Sequence, residues 1–350
     1  MVKHIWKIIG AGLLIYSFII GMTVPLKPGV YSATPFQLKA GAKQTVSIQG
    51  YNTFYTQAKT PIRVWLKLDE DNALAANRVE VVSDVLLKAD FNMPAYYPGE
   101  DEAASLTLLV DSDYDGAAVL PDAISVTDDH PDRNGLNPIW TSQPINALSA
   151  HEGKTYPYRA MLGETIRNTY YHVPFWFAMM IIFIIGTIFS CIYLLTLNEK
   201  YDHWSVAFTK VGILYGMLGL ATGSVWAKYT WGDWWNFDIK QNMAAIAMLI
   251  YLALFVLRSS FDDEEKKARI GNVYNIFAFS TLIPLLFVIP RLVDSLHPGS
   301  GGNPGFGVDD LDNTMRLVLY PAVIGWLLLG IWMAQLLKRM SVLRDKLYFS

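Results

Sequence analysis

The sequence predicts an α-helical membrane protein: a six-transmembrane-helix bundle with an inserted mainly-β extracytoplasmic domain. Three observations carry that prediction. Hydrophobic residues make up 52% of the 350 and charged ones only 17%, against about 25% charged in soluble domains. The apolar residues gather into six runs of roughly 20, the length a helix needs to cross a hydrocarbon core of about 30 Å. Between the first and second runs lies a long polar stretch of alternating character. The net charge of −3 offers no electrostatic footprint for nucleic acid. The single cysteine, Cys191, sits inside an apolar run, which excludes disulfides, zinc–thiolate sites and Cys-ligated clusters.

The six runs are 5–24, 174–197, 206–227, 241–258, 272–290 and 317–337. The first can be read as a cleaved signal peptide. Its apolar part is long for that role, and no small-x-small site precedes Pro25 and Pro28, which favours a retained anchor. Basic residues orient the bundle. Lys3, Lys7, Lys200, Arg258, Lys266, Lys267, Arg269, Lys338, Arg339, Arg344 and Lys346 all fall on one side in an alternating topology. The loops 228–240 and 291–316 on the other side are poorer in Lys and Arg, holding Lys228, Lys240, Arg291 and Arg316. Both termini are therefore expected to be cytoplasmic. The chain divides into a first helix at 1–24, an external insert at 25–171, a five-helix membrane domain at 172–340 and a cytoplasmic tail at 341–350.

In the insert, β-branched or period-two runs at 44–49, 62–68, 79–87 and 105–110 are separated by Gly, Pro, Asn and Asp clusters. This pattern predicts antiparallel strands in a small sandwich or barrel. The segment 128–158 reads as a loop-rich return to the membrane. Within the insert, Asp111, Asp113, Asp115, Gly116 and Asp122 have part of the spacing of a calcium loop. The flanks are not helical and the bidentate Glu is missing, so a solvated acidic turn is the better reading. The charge run 262–267 is an ordinary solvated loop.

The strongest chemical signal lies between the third and fourth runs, in residues 223–240. Trp226, Trp231, Trp234, Trp235 and Phe237 occupy twelve positions, interleaved with Gly, Asp and Lys, and four of the chain's 11 Trp are among them. An interfacial aromatic belt accounts for Trp at the headgroup level, but not for this concentration in one place. A shelf of rings suits a large, flat, partly apolar ligand with polar edges. Two histidines flank it in the inferred topology: His172, just before the second run, and His297, between the fifth and sixth. Neutral imidazole is a standard axial ligand of haem iron, so this pair can grip a metalloporphyrin from both faces. His4, His203, His130 and His151 fit less well.

Trp231-Gly-Asp-Trp-Trp-Asn-Phe-Asp238, preceded by Thr222-Gly-Ser-Val-Trp-Ala-Lys228, resembles the tryptophan-rich signature of haem-handling proteins in cytochrome c biogenesis. Within that group it is most similar to the CcmC family of system I. Arg167-Asn-Thr-Tyr-Tyr-His-Val-Pro174 resembles that family's approach to its second helix. His297 falls where the family has a second axial histidine, and Met315-Arg316 resembles the start of its last helix. The resemblance covers residues 165–340 well and the first helix loosely. It implies a multi-pass protein of the bacterial inner membrane that holds haem b transiently at the outer leaflet. His172 and His297 would be the axial ligands, and Trp226, Trp231, Trp234, Trp235, Phe237 and Asp238 would line the site. Lys228, Lys240, Arg167 and Arg316 would neutralise propionates. The implied partners are a CcmE-like periplasmic haem chaperone, the CcmAB transporter pair, a CcmD-like small membrane protein and membrane lipid.

Departures from the family are informative. Phe237 stands where Trp is usual, and Lys240 where Arg is usual, which keeps the charge but loses the bidentate fork. The insert has no counterpart, and partner docking or a lid role is expected for it. No activated nucleophile, acid–base pair or phosphate-cradling loop is legible, so the chain is not expected to be an enzyme. Two other readings stay open. One is a CcsA-like haem-attachment synthetase, which would be an enzyme and usually has more helices and intramembrane histidines. The other is a small-solute carrier or scaffold using the Trp stretch as an anchor, although its spans lack the interior ionisable residues a carrier needs.

Overall fold

A computed structural model describes residues 4–95, 103–127, 145–297 and 311–348. The chain separates into two compact units, Val24–Gly163 and the remainder.

The first unit is a β-sandwich. Its strands are β1 (Gly29–Thr34), β2 (Gln37–Lys39), β3 (Lys43–Tyr51), β4 (Arg63–Lys67), β5 (Ala73–Ala75), β6 (Arg78–Ser83), β7 (Leu86–Asn92), β8 (Ala103–Ser112) and β9 (Gly116–Thr127). They form two sheets, β1-β3-β7-β6 and β2-β9-β8-β4-β5, and every pairing is antiparallel except β2 with β9. Alternation does the work: Val46 and Ile48 of β3 and Leu87, Ala89 and Phe91 of β7 face Leu66, Leu108 and Ile124 in a single core. The run 79–87 is two strands rather than one, because Asp84-Val85 turns the chain and pairs Ser83 with Leu86. Residues 128–144, the larger part of the predicted loop-rich return, lie outside the described residues.

The acidic turn between β8 and β9 has a structural task. Asp113 accepts the backbone N–H groups of Lys59 and Thr60, both at 3.1 Å, and Asp115 accepts that of Phe54 at 3.0 Å. Burial pushes the Asp115 carboxyl up from its usual range, against the Phe54 bonds. Asp111 pairs with Arg63, and Asp122 accepts the Ser105 hydroxyl. These oxygens pin neighbouring loops, and among the described residues no group of three or more His, Cys, Asp or Glu is arranged to hold a metal ion.

The second unit is helical: α1 (Ile5–Thr23), α2 (His172–Thr196), α3 (Glu199–Trp231), α4 (Ile239–Ser259), α5 (Glu264–Ile283), α6 (Ile289–Leu292) and α7 (Asn313–Tyr348). Among the described residues, six segments are long and apolar enough to cross a membrane, with α5 and α6 joined into one through a π-helical stretch, Pro284–Val288. Proline has no N–H to donate, so the i→i−4 ladder is re-spaced there. The helix ends follow from local chemistry. Asn198, Asp238 and Asp263 cap α3, α4 and α5 by accepting backbone N–H groups, and Gly232, at φ 93°, ends α3 in the left-handed conformation. Hydropathy alone places the end of the third span near 227 and of the sixth near 337. The helices continue to Trp231 and Tyr348 because nothing stops them earlier.

Close packing of α2 on α3 rests on glycine. A Cβ on Gly212, Gly216, Gly219 or Gly223 would lie within 3.1 Å of Phe183, Met179, Trp176 or His172 respectively. The knobs step down α2 by three and four residues while the notches step up α3 by the same amounts, as antiparallel helices require. Beyond this ladder, a buried polar cluster ties α2, α3 and α5 together. Asn275 donates to Ser190 at 2.9 Å and to Ser205 at 3.3 Å, and accepts from Thr209 at 3.3 Å. Asn275→Ala is expected to cost only about 1 kcal/mol of bundle stability. The hydroxyls keep partners in each other and in the Gly186 and Ser205 carbonyls. Thermal unfolding in detergent measures this, and a cost several times larger would mean the cluster acts as one cooperative network.

Candidate functional site

At one end of the helical unit, α2, α3, α4 and the proline-bent α5–α6 segment surround an open cavity of about 270 Å³. Its lining includes His172, Trp176, Gly219, Gly223, Trp235, Lys240, Gln241, Pro290 and His297. The two histidines, 125 residues apart by their numbers, thus line one cavity. Its wall is overwhelmingly apolar, and its volume is just below that of typical ligand clefts.

His172 is the first residue of α2. Its ring fills the notch at Gly223, with Trp226 5.8 Å away in an edge-to-face contact. The indole N–H of Trp176, one turn on, points at its Nε2 over 3.2 Å. Indole N–H only donates, so Nε2 is the acceptor and the proton sits on Nδ1. That proton faces the Gly219 carbonyl at 3.0 Å and the Thr222 hydroxyl at 3.1 Å.

His297 is positioned by Asp238. The Asp238 carboxylate, 8% exposed, accepts from His297 Nδ1 at 2.8 Å, the Leu296 N–H at 2.8 Å and the Ser295 hydroxyl at 2.9 Å. It also caps α4 through the Lys240 N–H. Burial alone would raise its pKa, but the His297 and Leu296 hydrogen bonds outweigh burial and hold it well below the usual carboxylate range. A depressed pKa means the clamp is in full force above the ordinary value of 3.8 and lost only well below it. A carboxylate behind an imidazole is the arrangement that orients metal-ligating histidines.

The other candidate residues divide. Trp235 lines the cavity, its indole N–H bonded to Asn242 at 3.1 Å. Trp231 meets the His297 ring edge-to-face at 4.8 Å. Trp234 and Phe237 are exposed, 56% and 78%, and Trp226 and Trp231 stand on the last turns of α3 rather than in a loop. Lys240 is the only lysine or arginine in the lining among the described residues. Lys228 donates to the Gly232 carbonyl at the end of α3. Arg167 pairs with Glu164 and donates to the Gly21 carbonyl, and Arg316 donates to Asn313. Of the remaining histidines, His203 bonds Ser341 and contacts Asp345, and His130 lies outside the described residues.

Trp176, Thr222, Ser295 and the two glycine notches are not evident from the Trp-rich stretch. Their signals were spacings: Trp176 four residues after His172, and glycines at 212, 216, 219 and 223. Gly223→Ala tests the notch. The added Cβ would lie 2.7 Å from the His172 ring, so the imidazole must move. Alanine's better helix propensity offsets about 1 kcal/mol of the damage to stability. Ligand affinity reads the effect more cleanly, with an expected loss of about fivefold or more from overpacking. Unchanged affinity would show that the ring position is not critical.

A bundle of spanning helices with two imidazoles and several indoles converging at one end defines a multi-pass membrane protein built around an open, apolar, histidine-flanked groove. A model of the family CcmC, heme exporter protein C, matches residues 147–348, more than half of the chain, and the chain belongs to that family. With it comes a role in haem handling for cytochrome c biogenesis. The heme exporter protein C of Haemophilus influenzae is 25% identical over 189 residues, 52% of this chain and 74% of the relative. That of Escherichia coli K12 is 26% identical over 168 residues, 48% and 66%. A cytochrome c biogenesis protein CcsA of Synechococcus is 36% identical over 86 residues, 25% and 28%.

Proposed function

We propose that this protein holds haem b between His172 and His297 at the outer face of the inner membrane and hands it to a CcmE-like periplasmic chaperone. The single observation that carries this reading is that both imidazoles line the same apolar cavity. Each has its Nδ1 proton facing an acceptor, which leaves Nε2 as the ligating atom. Iron is held at the axial positions, the indoles of Trp226, Trp231 and Trp235 screen the porphyrin, and Lys240 meets a propionate. The open groove suits cargo that must leave again. The termini lie in the cytoplasm and the β-sandwich in the periplasm, following the distribution of basic residues. CcmAB and a CcmD-like protein are the membrane partners, and the chain itself performs no bond-making chemistry. The CcsA-like synthetase reading is less favoured, because the apolar runs of the six spans contain no histidine.

The test is transfer in vitro. Haem-loaded protein in vesicles, mixed with the soluble chaperone, should lose its Soret absorbance as the chaperone gains one. Haem retained at equilibrium despite excess chaperone would contradict delivery. The cavity lining also sets an order among the tryptophans. Trp235→Ala is expected to lower haem affinity by about tenfold, an aromatic contact plus its buried area. Trp234→Ala should cost clearly less, since that ring is exposed. Titration with haem measures both, and equal losses would mean that the exposed ring folds over the ligand.

A further inference from the structure

We infer that Trp176 is a latch on His172, so that incoming iron meets His297 first and reaches His172 only by displacing an indole. This rests on the axial reading of the two histidines. Three observations carry it. The Trp176 N–H points at the one His172 nitrogen with a lone pair to give, at 3.2 Å. The indole is seated in its own notch, where a Cβ on residue 219 would lie 2.8 Å from the ring. It lines the cavity that both histidines share. Among the described residues nothing hydrogen-bonds His297 Nε2, while Asp238 already holds its Nδ1.

The physical consequence is an asymmetric grip. At His297 the coordinating atom is ready and the ring is pre-oriented. At His172 an N–H···N bond must break before a coordinate bond forms, and it re-forms when the coordinate bond breaks. Trp176 thereby weakens the second ligation and favours release, as a carrier that must surrender its cargo requires. Trp176 is a positioning residue, acting on iron through His172.

The test uses the full-length protein in detergent, titrated separately with ferric haem and with metal-free protoporphyrin. Trp176→Phe keeps a ring in the notch and removes the N–H. It should tighten ferric haem by about two- to tenfold, the worth of one net hydrogen bond. Metal-free porphyrin affinity should stay unchanged, and the gain should vanish in a His172→Ala background. Ferric haem bound no tighter, or both porphyrins shifted equally, would overturn the latch and leave Trp176 a stacking wall. If His172→Ala alone leaves the haem spectrum unchanged, the axial reading fails first and the latch with it. Should Trp176→Phe misfold, NMR of isotope-labelled histidine in the ligand-free wild type decides. His172 protonated on Nδ1 supports the latch, and protonated on Nε2 it overturns it.

Discussion

Cells relying on the His172→Ala, His297→Ala double variant are expected to make almost no holocytochrome c, although the protein still inserts. The site explains the size of the effect. Outer partners of metal-bound histidines are by themselves worth about 10–100-fold in affinity, and here both ligands are removed. What remains is an apolar groove with Trp235 and Lys240 in its wall, enough for weak porphyrin stacking but not for a held iron. Insertion should survive, because the packing that assembles the bundle lies elsewhere. Gly10 seats α1 against Leu328, Phe183 fills the notch at Gly212, and Asp202 takes a two-point contact from Arg258. Immunoblots of membranes alongside haem-stained cytochromes check both halves. Normal cytochrome levels would remove the histidines from the mechanism.

The second large effect is expected at Asp238, which touches no ligand in this account. Asp238→Ala should lower haem affinity by about 10–100-fold, because one carboxylate orients His297, anchors Ser295 and Leu296 and caps α4. Asp238→Asn removes the charge and the acceptor for Leu296 and Ser295 while keeping Oδ1, which both caps α4 and meets His297. Asn is as good a helix cap as Asp, so α4 keeps its start. Its amide carries no charge to hold the imidazole proton and turns two donors toward a cluster of donors. The Asn variant should therefore keep the start of α4, lose about 1–3 kcal/mol of stability for the buried donors left facing donors, and lose most of the affinity. An Asn variant that binds like wild type would reduce Asp238 to a cap.

Much of this was legible from the chain because membranes impose simple rules. Apolar length located all six spans. Period-two alternation located β3, β4, β8 and, as a single run, β6 and β7, but not β1, β2, β5 or β9; the turn at Asp84-Val85 carries no Gly or Pro and hid the β6–β7 hairpin. Hydropathy also hid the helical state of Trp231, because helix ends are set by caps such as Gly232 rather than by polarity. His172 and His297 stood out as residue types, but their sharing of one cavity depends on the α2–α3 ladder and on the Asp238 clamp, both long-range. The same holds for the basic residues. Lys240 lines the groove, and Arg167 and Lys228 donate to the carbonyls of Gly21 and Gly232, placements that charge alone does not give. The calcium-like acidic run misleads for a related reason: its oxygens answer to backbone donors from loops distant in sequence.

The claim beneath all of this is that one iron is shared by two imidazoles. Optical and electron paramagnetic resonance spectra of the purified protein loaded with ferric haem test it most directly. The account predicts a six-coordinate, low-spin signal that added imidazole leaves unchanged, and that becomes imidazole-responsive when either His172 or His297 is replaced by Ala. A high-spin, five-coordinate signal in the wild type, converted to low spin by imidazole, would contradict it.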